Sequence, residues 1–156
     1  MRLDPKFLIN WKVYAIQCGF AALSVFIITF LLFRNPVVIA SIGATSFIVF
    51  GMPNNISAQP KQITGGHLVG FSIGCCFSVF PFMSILFFKS LWFASSVGFC
   101  IFILVVLGFE HPPAVGTALG MTIEGYSDSS AFAIIISILI LSFIGHFSKP
   151  FLKDLV

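Results

Sequence analysis

Two histidines stand inside apolar stretches, each beside residues that leave room around it. His67 follows Gly65-Gly66 near the start of an uncharged run reaching residue 88. His111 follows Glu110 and precedes Pro112-Pro113, after which come Ala114-Val115-Gly116-Thr117-Ala118-Leu119-Gly120. An imidazole can donate a hydrogen bond, accept one, or hold a proton near neutral pH. Ionisable groups in a lipid-crossing segment are costly and by default mark a site or pathway, although buried polar side chains also serve as glue between helices. Proline suits the first turn of a helix, so Pro113 predicts a short helix whose N-terminal N–H groups favour anions. The prolines supply no donors, so Ala114, Val115 and their successors must. The hydroxyls of Ser41, Thr45 and Thr117 are further candidate donors. Gly43, Gly65, Gly66 and Gly116 offer close approach, and Gln59 and Lys61 form a polar station ahead of His67. Lys61 and Arg34 read either as attracting charges at a pathway mouth or as interfacial anchors. Glu110 is placed to pair with either of them or with His111. Glu124 and Asp128 read as a solvated turn, and His146 as interfacial.

These residues need a frame. The chain has 156 residues, 58% hydrophobic and only 8% charged, with mean hydropathy +1.10. A soluble domain carries roughly 25% charged residues, so this is one all-α, polytopic membrane domain, 1–156. Residues 13–33, 63–81, 90–109 and 130–147 are each near the length of about 20 residues that crosses a bilayer. The first reads as a retained span, because it is longer than a signal-peptide core and no small-residue cleavage site follows. Two shorter apolar pieces, 36–51 and 113–123, reach about 24 and 16 Å. The second is too short to cross alone and reads as a half-helix, a re-entrant segment or part of a broken helix.

The order is long, short, long, twice over. Repeat one runs over about 13–81 and repeat two over about 90–148. Placing Pro36 on Pro113 puts Gly43 on Gly120 and Thr45 on Thr122. Repeats with interrupted segments in matching positions point to a transporter-type site near the midplane. Four crossings and six crossings both remain open. The basic residues score them equally, and both put the two termini in the cytoplasm. The arrangement adopted is 3+3 with short middle helices that are broken or re-entrant.

The composition excludes other classes. The net charge of +3 is spread over segment ends, which suits the interface and a lipid bilayer rather than nucleic acid. Cys18, Cys75, Cys76 and Cys100 fall inside apolar runs without metal spacing and read as small buried hydrophobes. There is no His-Glu-x-x-His pattern and no P-loop, so no catalytic residue, metal or cofactor is expected.

The sequence resembles the HPP family of integral membrane proteins, named for its His-Pro-Pro tripeptide. The likeness rests on Gly43-Ala44, Pro53, Ala58-Gln59-Pro60, Gly65-Gly66-His67, Gly70 with Gly74, and His111-Pro112-Pro113-Ala114. It departs at Lys61, where arginine is expected, and at Val115, where glycine is common. Plastid and cyanobacterial members are associated with nitrite transport, whereas bacterial members are mostly uncharacterised. The resemblance therefore implies an anion, nitrite first. The expectation is a transporter or channel for a small inorganic anion in a bacterial inner membrane, working as a homodimer or higher oligomer. Its path is lined by His67, His111, Pro112, Pro113, Ser41, Gly43, Thr45, Gln59, Lys61, Gly65, Gly66, Gly116 and Thr117. The alternative is a membrane scaffold or sensor component without flux.

Overall fold

A computed structural model describes residues 5–32, 36–79 and 85–156. Arg34 and Pro81 lie outside them. The described residues form six α-helices: α1 (Pro5–Leu32), α2 (Pro36–Gly51), α3 (Pro60–Ser78), α4 (Leu86–Leu107), α5 (Pro113–Glu124) and α6 (Asp128–Ser148). A 3-10 turn, Ile56–Ala58, precedes α3, and another, Lys149–Phe151, follows α6.

Local chemistry sets the boundaries. Prolines open α3 and α5. Asn55 caps the first 3-10 turn by accepting the Ser57 N–H at 2.9 Å, and Ser127 caps α6 by accepting from Ser130 N at 3.1 Å. Gly108 ends α4 in the left-handed region, φ 70°, where a side chain would be strained.

Three helical stretches are long and apolar enough to cross a membrane: Lys6–Phe30, Leu86–Leu107 and Asp128–Phe151. Large apolar side chains such as Phe26, Phe30, Phe102 and Phe143 are exposed on them, as helices facing lipid require. The expected fourth span is α3. It starts earlier than the apolar run suggests, at Pro60, and its polar first turns and glycines keep it out of that group. The middle helices differ from expectation too. Both α2 and α5 are single continuous helices of 16 and 12 residues. The one backbone irregularity inside a described helix is a kink in α1 at Asn10.

The chain reverses direction at every connection. At one end, Gln17 in the first half of α1 donates to Phe50 O at the end of α2, 2.6 Å. Gln62 at the start of α3 accepts from Glu110 N just past α4, 2.8 Å, and His111 ahead of α5 meets Ser57. At the other end, Trp92 early in α4 donates to Phe77 O late in α3, 3.0 Å, and Thr122 late in α5 donates to Ser96 Oγ in α4, 3.0 Å. The short helices therefore run from one end of the bundle toward the other instead of folding back.

The segment after α6 returns to the first end as a strap. Leu155 N donates to Gly51 O at 2.8 Å, and Tyr14 donates to Leu155 O at 2.8 Å. Gln17, 2% exposed, donates to Lys153 O at 2.9 Å and accepts from Lys153 N at 3.0 Å. Asp154 accepts two hydrogen bonds from Asn54, each 3.0 Å.

The tightest packing joins α3 to α5. Gly66, Gly70 and Gly74, four residues apart, form one smooth face of α3. A Cβ on Gly66 would lie 2.8 Å from His111 Cβ, and one on Gly70 or Gly74 would strike the Ala114 carbonyl or the Met121 side chain. Small residues at this spacing let helix backbones touch in lipid. Helix α5 also packs on α2 and α4, and α6 packs on α2, α3 and α1. Exchanging α1 with α4, α2 with α5 and α3 with α6 carries each of the principal packed pairs onto another such pair, though α3 lies along α5 far more extensively than α2 along α6.

Candidate functional site

The glycine face of α3 brings the two histidine stations together. His67 lies about 10 Å along α3, and His111 sits in the link before α5, pressed against Gly66. They are 2% and 1% exposed, and their Nε2 atoms are 3.2 Å apart. Helix α2 adds Thr45, 2.9 Å from His67 Nε2 and 3.2 Å from His111 Nε2. Thr117 of α5 lies 2.8 Å from His67 Nδ1 and 2.9 Å from Ser41 Oγ. Ser41 donates to the Pro113 carbonyl in a very short contact. His111 Nδ1 lies 2.9 Å from the Ser57 carbonyl. A carbonyl only accepts, so this nitrogen carries a hydrogen and donates it.

The result is a continuous hydrogen-bonded chain through the bundle: Ser41, Thr117, His67, His111, Ser57. Thr45 is braced by Ser41 O at 3.1 Å and sits beside the histidine pair. Ser41, Thr45 and Thr117 are each at most 4% exposed. Burying this many polar groups among apolar helices is tolerable only because each is hydrogen-bonded.

Several expected residues stand elsewhere. Gln59 and Lys61 are exposed; Gln59 serves through its carbonyl, which accepts from Gln62 N and Ile63 N. Gly43 is on α2 between Ser41 and Thr45, but a Cβ there would meet nothing within 4 Å, so it makes no close packing. Gly65 is filled by the Phe109 ring, and Gly116 faces the Ser41 Cβ. Pro112 is exposed, whereas Pro113 is buried and contributes its carbonyl. The N–H groups expected to face an anion are occupied: Ala114 N donates to His111 O at 3.0 Å and Val115 N to Pro112 O at 3.1 Å. The prolines force a tight first turn, and its own carbonyls take those donors. Glu110 and Lys61 form no ion pair with each other, and His111 uses Ser57 instead of Glu110.

Two contributors were missed from the sequence, Ser57 and Gln62. Ser57 acts through its backbone, which no side-chain pattern reports. Gln62 is 7% exposed and ties α3 to the Glu110 backbone; an amide beside Lys61 gave no signal against the longer polar station. Elsewhere, Tyr126 donates to Asp128 at 2.9 Å in an exposed turn, and His146 is exposed beside Phe147. All four cysteines are free, but Cys18 and Cys76 are exposed and only Cys100 is fully buried, because the first two lie on outward helix faces. Among the described residues, no three His, Cys, Asp or Glu side chains gather as metal ligands would.

An opening reaches this cluster at His111. A groove of about 690 Å³ is walled by Ile101, Leu104 and Val105 of α4 and ends on Ser57, Glu110, His111 and Pro112.

The family model described as the HPP transmembrane region matches residues 6–151. The chain belongs to the HPP transmembrane family. The match takes in all six helices of this HPP protein, so the histidine cluster falls within the family's own region. No curated protein and no solved structure matches the chain.

Proposed function

We propose that this HPP protein is a transporter or channel for a small inorganic anion, nitrite first. The observation that carries the reading is the chain of buried polar side chains from α2, α3 and α5, running through an apolar bundle and touched at His111 by an open groove. Buried ionisable groups in a membrane bundle are costly and characteristic of ion and proton paths. Nitrite comes from the family resemblance. The two-repeat organisation, 13–81 and 90–148, is supported by the exchange of packed helix pairs, with α2 and α5 meeting at its centre. The reading is non-enzymatic. It places the protein in a bacterial inner membrane with both termini cytoplasmic, working as a homo-oligomer.

The test is uptake into proteoliposomes holding the purified protein, with nitrite, nitrate, formate and chloride compared across a pH step. Selective nitrite uptake that disappears in His111→Ala is the expected result. No uptake of any anion by folded protein overturns the reading.

A second reading, a scaffold or sensor component without flux, is favoured by one observation. The first-turn amides of α5 are already bonded and the polar chain is satisfied within itself. Under it, His111→Ala lowers thermal stability and no anion raises it. Under the transport reading, an anion at about 100 times its Kd adds about 2.7 kcal/mol.

A further inference from the structure

We infer that His67 and His111 together form one proton-binding site, holding a single extra proton in a chain whose hydroxyls reverse to receive it. The inference comes from counting hydrogens along the chain, and it stands whether or not an ion crosses the protein.

His111 Nδ1 must donate, because Ser57 O can only accept. When His111 is neutral, its Nε2 is therefore a bare acceptor. That nitrogen faces His67 Nε2 at 3.2 Å, and two bare nitrogens at this distance repel. The neutral arrangement that keeps a hydrogen between the two rings puts it on His67 Nε2, pointing at His111, and takes the Ser41 hydrogen away from Pro113. His67 Nδ1 then accepts from Thr117, and Thr117 accepts from Ser41. All the hydrogens from Ser41 to Ser57 point the same way.

Ser41 has one hydrogen and two acceptors in reach, Thr117 Oγ1 at 2.9 Å and the Pro113 carbonyl. When its hydroxyl turns to Pro113, Thr117 turns to donate to Ser41, and the Thr117 oxygen becomes an acceptor facing His67 Nδ1. A proton from hydronium then forms one new N–H bond at His67 Nδ1, as one O–H bond of the hydronium breaks and a water molecule is released. The cation holds Nδ1–H on both rings and one hydrogen between the two Nε2 atoms. Each of its N–H groups has an acceptor, the condition for keeping a charge in a low-dielectric interior. Thr45, whose own hydrogen goes to Ser41 O, leaves its oxygen toward both Nε2 atoms.

Among the described residues, no other ionisable group shares the site. Helix α2 carries none along its length. On α3, Lys61 is exposed at the start, and Cys75 and Cys76 lie two turns beyond His67. Cys100 of α4 packs against Ala114 and Ala118. Glu110 is exposed at the groove, Glu124 is at the far end of α5, and Asp128 and His146 of α6 are exposed.

The experiment is nitrogen-15 NMR on the full chain, labelled at histidine and reconstituted in lipid, across pH. His146, exposed, serves as the ordinary titrating reference. The expected result is an N–H···N correlation joining the two Nε2 atoms. At high pH His67 is hydrogenated at Nε2 and His111 at Nδ1, and the pair takes up one proton in one shared transition. Either histidine replaced by Gln in a folded variant abolishes the correlation. Like tautomers at high pH, two independent one-proton titrations, or no proton uptake by either ring while the protein stays folded each overturn the proposal.

Discussion

At the scale of single residues, the glycines of α3 are not equivalent to those elsewhere. Gly70→Ala drives a Cβ into the Ala114 carbonyl, and neither backbone can move without parting α3 from α5. The expected cost is about 1–3 kcal/mol, read as a lower Tm in detergent. Gly43→Ala meets nothing and is expected to be neutral or to stabilise by up to about 1 kcal/mol, from helix propensity. Equal losses in both variants would refute the packing argument. Asp154 gives a pH-dependent case outside the helices. Hydrogen bonds from the Asn54 backbone and side chain hold its carboxyl below the ordinary value of 3.8. Its folded state thus binds protons less readily than the unfolded chain. The contribution is complete above the unfolded value and fades as pH falls through the lower folded one. The Tm difference between the parent and Asp154→Asn should therefore be present at pH 6 and shrink toward pH 3.

At the scale of elements, the strap after α6 acts as one unit with the first half of α1 and the end of α2. Gln17→Leu strands the Phe50 and Lys153 carbonyls and the Lys153 N–H, partners that the amide alone supplies. Leaving buried polar groups unpaired costs about 1–3 kcal/mol each. Removing residues 152–156 takes away two of those partners along with the Leu155 bonds. The two changes should therefore combine to less than their sum in a double-mutant cycle of Tm or unfolding free energy. Full additivity would show that the strap and Gln17 act independently. Helix α5 illustrates another point at this scale. Its proline-opened start was legible as a helix beginning, but its function as an anion-facing terminus was not borne out, because the two prolines compress the first turn and the local carbonyls consume the free amides.

At the scale of the whole molecule, the alternating course of six helices predicts sidedness. In a background without the native cysteines, Asn54→Cys and Asp154→Cys should react with an impermeant thiol reagent from one face of the membrane. Tyr126→Cys, in the turn at the opposite end, should react from the other. Labelling of all three from one face would break the alternating arrangement. The basic residues could not decide between four and six crossings, because exchanging Lys61 and Lys89 leaves their balance unchanged; the hydrogen bonds between helix ends show that the described helices alternate in direction.

Composition by itself determined the membrane class, and apolar run lengths separated by prolines and polar turns determined an all-helical chain with short second and fifth segments. These are local quantities, set by transfer free energy and backbone chemistry along the chain. The glycines beside His67, together with His-Pro-Pro, marked where the buried polar cluster forms. Only the tertiary structure decided that His67 and His111 meet at Nε2, that Thr45 and Thr117 join them, and that Gln59, Lys61 and Gly43 do not. The physical reason is that Gly66, Gly70 and Gly74 bring two backbones 44 residues apart into contact, and hydrogen-bond partnership depends on distances of about 3 Å that spacing along a sequence does not encode.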